Sequence, residues 1–415
     1  MSLRRYVNIV TANHYQGIYS LRRLNSDNFF YQANEAAAKA RDLTRLRRVP
    51  EDALSPCFAR KKKKHVSDKL LETTIRPPQP IFSVRPTTCP VSDDGDYDNR
   101  LHSFPLSGTK IFFFDSARRT TLYDTKARCS ISTPCLHARK DLPVAISVPC
   151  SPAAAGPEGE QDLDGGSSSS LYILDTALDP ANATPFEALT WRNFTDEDYK
   201  AWHCDALPRP PFGDLQRDLD VSVLCYAVVG DAIYVSLTSL GTYCFDTVSR
   251  TWSLAGDWLM PFSGKAEYDP ELKLWFGVSD GNHQLPCAAD LSPILRGHAP
   301  KKQHHYVWGD PQLPGDWLPD LFKPANIVSL GSGRFCIINF FRDVGGYCTS
   351  CRDGPSAADG SPIVVFSGLE VLAGNRNSND GDSGKGSDSG NGLRIRMIKH
   401  KSRLCRDTRS LESVL

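Results

Sequence analysis

Nothing in this sequence of 415 residues approaches the run of about 20 apolar residues that a membrane-spanning helix needs. Phe335–Phe341 is strand-sized and already broken by Asn339, so no membrane partner is expected. The opening Met-Ser-Leu-Arg-Arg-Tyr-Val is basic but has no apolar stretch behind it, and no secretory leader is expected. Net charge is also missing, 48 Lys and Arg facing 48 Asp and Glu. Catalytic signatures are absent too: there is no Walker-type glycine loop, no HExxH and no GxSxG after a strand. The first 76 residues show no three-helix leucine pattern of an F-box. The 13 cysteines, an odd number spread from Cys57 to Cys405, do not read as a disulfide framework. A reducing compartment, cytoplasmic or nuclear or both, is the expectation.

What is present is recurrence. Gly241-Thr-Tyr-Cys-Phe-Asp-Thr-Val-Ser-Arg-Thr-Trp252 reads as a strand ending in Asp246-Thr247, a polar turn, and a second strand opening at Trp252. The Asp-Thr strand end returns at Asp124-Thr125 and Asp175-Thr176, and Gly256-Asp-Trp258 is echoed by Gly315-Asp-Trp317. Modules repeating every few tens of residues, each with a face that only its neighbours can bury, are the mark of propeller blades. The predicted fold is all-β, a propeller of five or six four-stranded blades. An Asp that opens a turn has a local task, accepting backbone N–H groups, so Asp124, Asp175 and Asp246 are assigned to the repeat. Trp252, Trp258, Trp275 and Trp317 are assigned to packing between blades.

The expected organisation follows from composition. Residues 1–32 form strands that brace or complete the ring. Residues 33–80 are a basic insertion containing one short helix, Asn34–Arg48. The propeller occupies 81–405, and 406–415 is a tail. Gly-, Ser- and Asp-rich stretches at 151–170, 343–361 and 375–391 read as disordered loops between strands. Residues 1–76 hold 16 Lys and Arg against 7 Asp and Glu, leaving the remainder acidic.

The unit at 221–254 is similar to a kelch blade, with Ala232–Val235 at its second strand and Ser236-Leu237 where a diglycine is usual. More specifically, the chain resembles a grass-expanded plant family, domain of unknown function 1668. The match rests on Arg4-Arg-Tyr-Val-Asn8, Gly17–Arg23, Gly241–Thr247, Ala255-Gly-Asp-Trp258, Ala266-Glu-Tyr268, Glu271–Gly277 and Leu330–Cys336. That resemblance implies a kelch-like propeller and carries no established activity.

Other short motifs fail on chemistry. Cys348-Thr-Ser-Cys351 has half the ligands of a zinc site and no second pair nearby. Gly381-Asp-Ser-Gly384 lies in a biased run with no partner histidine. Asp94–Asp98 lacks the glycine and glutamate of a calcium loop, and His304-His305 is a lone pair. No cofactor or metal is expected. The leading functional expectation is a monomeric, non-enzymatic scaffold for a protein partner not identifiable from sequence. One alternative is an enzyme or small-molecule binder using the central pocket. The other is a nuclear protein contacting nucleic acid through 39–69, disfavoured because no aromatic interleaves with its lysines. Arg60, Lys61, Lys62, Lys63 and Lys64 form a candidate nuclear-targeting cluster. A fluorescent fusion should lose nuclear signal when Lys61–Lys64 become Ala; signal that stays cytoplasmic with or without the change refutes the assignment.

Overall fold

The computed structural model describes residues 3–32, 35, 41–42, 74–86, 100–149, 169–177, 179, 181–194, 199–213, 221–280, 284–300, 306–307, 317–320, 323–343, 361–373, 395–405 and 411–415. Among these the chain is all-β apart from a few short 3-10 turns and Glu35, whose backbone is helical. No described helix is long and apolar enough to cross a membrane. The basic cluster Arg60–Lys64 lies outside the described residues, as do residues 150–168, 344–360 and 374–394, which include most of the three predicted loops.

Among the described residues the strands form five four-stranded antiparallel units and a sixth, seven-stranded one. The first unit holds β1 (Tyr6–Asn13), β2 (Ile18–Asn25) and an outer strand. Two short strands, β3 (Arg41–Asp42) and β4 (Thr74–Ile75), leave this unit and pair at the far end of the chain. The outer strand is β5 (Phe82–Val84). The second unit is β6 (Leu101–Pro105), β7 (Lys110–Asp115), β8 (Thr120–Asp124) and β9 (Cys129–Ser132). The third is β10 (Pro143–Pro149), β11 (Ser169–Asp175), β12 (Phe186–Asn193) and β13 (Lys200–Ala206). The fourth is β14 (Val223–Val229), β15 (Ala232–Leu237), β16 (Gly241–Asp246) and β17 (Thr251–Gly256). The fifth is β18 (Phe262–Asp269), β19 (Leu274–Ser279), β20 (Pro286–Ala289) and β21 (Tyr306–Val307). In the sixth, β22 (Trp317–Pro319) and β23 (Asn326–Gly331) share one edge of β24 (Arg334–Asp343). That strand continues the ladder to β25 (Ser361–Ala373) and β26 (Ile395–Cys405). Finally β27 (Leu411–Val414) returns to pair antiparallel with β1 and supplies the first unit's fourth strand.

Two expectations are corrected here. Arg41–Asp42 is a strand paired with Ile398 and Lys399, so no helix runs from 34 through 48; the ladder's hydrogen bonds outweigh a thin apolar stripe. Leu411–Val414 is likewise no free tail, because Leu411, Val414 and Leu415 are buried.

The second strands explain why the units assemble. In β7, β11, β15 and β19 burial is nearly continuous rather than alternating, so both faces of each sheet are covered. Runs such as Ile111-Phe-Phe-Phe114 therefore serve two cores at once, with Ile111 and Phe113 on one side and Phe112 and Phe114 on the other. The apolar clusters follow the order of the units. Val10 and Leu21 meet Ile111 and Phe113 between units one and two. Phe112 and Leu122 meet Ile173 and Leu189 between two and three. Phe186 stands edge-on to Phe245, 4.8 Å between ring centres, between three and four. Ala227 and Val229 meet Phe262 and Trp275 between four and five, and Phe276 stacks on Phe335 at 4.4 Å between five and six. The sixth cluster joins Val328, Ile338 and Phe366 of the last unit to Val7, Ile9 and Val414 of the first. The circuit closes on itself.

Leu411 lies in that closing cluster on β27. Leu411→Ala is expected to cost about 2–5 kcal/mol, read as a lower urea midpoint. Exposed Val248→Ala serves as the neutral comparison, and equal midpoints for the two variants would mean that β27 does not hold the circuit shut.

Candidate functional site

One concavity among the described residues has a volume of about 950 Å³, and all six units contribute to its wall. Four units do so through their first strands: β6 with Pro105, β10 with Ser147, β14 with Tyr226 and β18 with Lys265 and Glu267. In the sixth unit β23 supplies Ser329, and the first unit reaches in with Arg4, just ahead of β1. The strands are stitched edge to edge. β14 and β18 pair in parallel, Tyr226 opposite Lys265. Ser147 Oγ donates to the Leu106 carbonyl at 2.6 Å, joining the second and third units. Arg4 N donates to the Leu330 carbonyl at 2.7 Å, joining the first and sixth.

Three ionisable groups meet at one side of this cavity. Lys265 Nζ donates to Glu267 Oε1 at 2.7 Å, while Glu267 Oε2 accepts the Ser329 amide at 3.2 Å. Burial opposes ionisation of Glu267, but Lys265, that amide and Arg4 together hold its carboxyl below the ordinary value. Burial also lowers the Arg4 guanidinium, with Glu267 acting against it. Arg4 Nη1 reaches the Ser329 carbonyl at 3.4 Å, yet Nε and Nη2 are buried without a hydrogen-bond partner. Burial pushes the Tyr226 phenol upward, and Glu267 adds to the shift. A half-buried Tyr268 stands 4.5 Å from Trp275 at the edge, and the Trp275 indole donates to Val228 O at 2.8 Å.

Lys265 is held by a carboxylate, and Tyr226 keeps its proton. What remains is donor capacity on Arg4, whose Nε and Nη2 are buried in the wall of a cavity lined by apolar, hydroxyl and charged groups. A buried donor without an acceptor costs about 1–3 kcal/mol, a cost that an incoming anion removes.

The residues assigned from sequence lie elsewhere. Asp124 Oδ1 accepts the amides of Lys126 and Ala127, and Asp246 Oδ1 those of Val248 and Ser249. Asp175 accepts from Leu142 and Ala177. The following threonines repeat one contact: Thr125 Oγ1 donates to Thr109 O at 2.7 Å and Thr176 Oγ1 to Leu142 O at 2.8 Å, while Thr247 Oγ1 bonds Asp231 O. Asp124 and Asp246 end the third strands of their units, but Asp175 ends a second strand, so the motif marks hairpin ends rather than blade phase. Trp252 donates its indole N–H to Pro208 O at 3.0 Å and packs tilted against Phe186 and edge-on to Phe212, spanning units three and four. Trp258 sits in the link between units four and five, whereas Trp317 opens β22 and packs within the sixth unit. Trp258 O accepts from Thr242 at 2.6 Å, and Trp317 faces Phe341 at 5.8 Å. Asp94–Asp98, His304-His305, Cys348, Cys351 and Gly381–Gly384 lie outside the described residues. Sequence reasoning did not single out Arg4, Lys265 and Glu267 as a site. Arg4 and Glu267 fall inside blocks that carry the family resemblance, which was the available signal.

Residues 4–406 match the model of a family described as protein of unknown function, DUF1668. The chain belongs to that family. The DUF1668 match spans every ionisable group of the cavity just described. No curated protein matches the chain in sequence. Among solved structures it is similar to the Cps50 (Swd1) beta-propeller domain of Myceliophteria thermophila, at 8% identity and a TM-score of 0.27, covering 63% of this chain and 77% of that one.

Because the Glu267 carboxyl is depressed in the folded protein, its contribution is complete above the ordinary value of 4.5 and fades as pH falls through the lower folded value. Glu267→Gln should therefore show a shallower fall of urea midpoint between about pH 5 and pH 3 than the parent protein. Parallel curves would mean that Glu267 is not held ionised.

Proposed function

We propose that the six units are the blades of one closed, kelch-like propeller. In this reading the protein is a non-enzymatic interaction scaffold in the reducing interior of a plant cell, cytoplasmic or nuclear. The closed circuit of shared apolar clusters supports the ring, with β27 completing the first blade from the other end of the chain. The kelch-like label is supported by Asp246 and Trp252 flanking the turn between third and fourth strands, with Trp252 packed on the preceding unit. Buried cysteines used as small hydrophobes, Cys225, Cys287 and Cys336, fit a reducing compartment, and burial pushes all three thiols up, away from nucleophile chemistry.

The observation that carries the binding role is the partnerless guanidinium edge of Arg4 in a cavity to which every unit contributes. A rigid ring offering a positive, hydrogen-bond-donating group is matched by an acidic side chain on a protein partner. Exposed aromatics on the outer β12–β13 hairpin, where Phe194 stacks on Tyr199 at 5.3 Å, add a second surface of the composition that protein interfaces favour. A second reading, a small anionic ligand, is favoured by the cavity volume, which lies in the range of small-molecule pockets.

Affinity purification from plant tissue, comparing the parent protein with Arg4→Gln, tests both. A stoichiometric protein partner lost in Arg4→Gln, but kept by Val248→Ala, is the expected result. A co-purifying small molecule in place of a protein moves the assignment to the second reading, and a partner held equally by all three proteins overturns the role of the cavity.

A further inference from the structure

The link between the second and third units carries a second cluster of reactive side chains, remote from the cavity in its chemistry. Glu187, on β12, is fully buried, and its two oxygens have separate tasks. Oε1 accepts from Lys140 Nζ and from the Ala138 amide at 3.2 Å. Oε2 accepts from the His137 amide at 2.7 Å, and it lies 2.8 Å from His137 Nδ1 and 3.2 Å from Cys204 Sγ. Cys204 Sγ and His137 Nδ1 are themselves 3.7 Å apart. One sulfur, one imidazole nitrogen and one carboxylate oxygen thus form a triangle, contributed by three separate stretches of chain.

We propose that His137 Nδ1, Glu187 Oε2 and Cys204 Sγ form a binding site for a zinc-class divalent cation, completed by water. Tetrahedral zinc bonds of about 2.0–2.3 Å to nitrogen, oxygen and sulfur place neighbouring ligand atoms roughly 3.4–3.6 Å apart. The triangle's edges lie within about 0.6 Å of that spacing, so small side-chain rotations open it to a metal. The mixed donor set suits zinc or another borderline ion rather than magnesium or calcium, which prefer oxygen ligands alone. Entry is available: the His137 side chain is 47% exposed, whereas Glu187 is held from behind by Lys140 and the Ala138 amide, as carboxylate ligands commonly are.

Binding exchanges protons for the cation. The thiol of Cys204 is pushed upward by burial and by Glu187, so it remains a thiol until a metal arrives. Coordination forms a metal–sulfur bond and releases that proton to solvent, and the imidazole binds in its neutral form. Glu187 and the new thiolate bring two negative charges and Lys140 one positive, so the occupied site carries one net positive charge. The bound ion would tie the β9–β10 link, through His137, to β13, through Cys204, the outer strand of the third unit.

The test uses cobalt(II) as a spectroscopic stand-in and zinc as competitor, on full-length protein carrying Cys348→Ser and Cys351→Ser to remove that pair. One equivalent of cobalt should give a thiolate charge-transfer band and tetrahedral d–d bands, both bleached by zinc. Cys204→Ser should abolish the charge-transfer band, and His137→Ala should weaken cobalt binding by more than about tenfold. Zinc should also slow alkylation of Cys204 in the otherwise unaltered protein, followed by peptide mass spectrometry, a readout that needs no variant to fold. Absence of saturable one-equivalent binding, a band that survives Cys204→Ser, affinity unchanged by His137→Ala, or alkylation indifferent to zinc each overturns the site.

Discussion

A four-stranded sheet that is apolar on both faces cannot remain in water alone, and this constraint organises the whole chain. Each second strand offers large side chains to two sides, so each unit requires two neighbours. Among six units in sequence order the requirement is met only if the last packs on the first, which Val328, Ile338 and Phe366 achieve against Val7 and Ile9. At roughly 25 cal/mol for each Å² of apolar surface buried, a sheet exposed on one face would forfeit a large part of the stability of an ordinary domain. The cavity wall inherits its rigidity from that circuit. Lys265 and Glu267 stand on β18, and the Arg4 backbone is tied to Leu330 ahead of β1, so the three keep their spacing without a ligand.

Much of the scaffold was legible in local pattern. Gly241–Asp246 read as a strand because Tyr243 and Phe245 alternate with Thr242 and Cys244, and the ladder to β15 and β17 has that register. The glycines bounding it are sterically required: Gly241 has φ of +90°, and a Cβ at Gly256 would fall 2.3 Å from the Trp258 indole nitrogen. Asp-Thr pairs predicted turns for a reason of chemistry, the short carboxylate reaching amides two and three residues on. That same locality made them poor guides to blade phase, because any hairpin end has use for them.

Long-range pairing was not legible. β13 is only half-buried, a weak signal for an edge strand, and β27 is four residues of ordinary composition whose partner lies about 400 residues away. The His137, Glu187 and Cys204 triangle spans 50 residues in one step and 17 in the other, with no recognisable spacing. The cavity's charges escaped notice for a related reason. Arg4 stood among other basic residues near the start of the chain, and only the fold separates it from them by taking away its water.

Joining β27 to β1 has a kinetic consequence. During synthesis β27 emerges about 400 residues after β1, so Ile9 and Val10 wait with an open edge and an uncovered face while the intervening units form. Contacts so distant in sequence are slow to make, and chaperones act on such unpaired edges. β27 therefore acts as a latch, and until it closes the edge of β1 is open to aggregation and proteolysis.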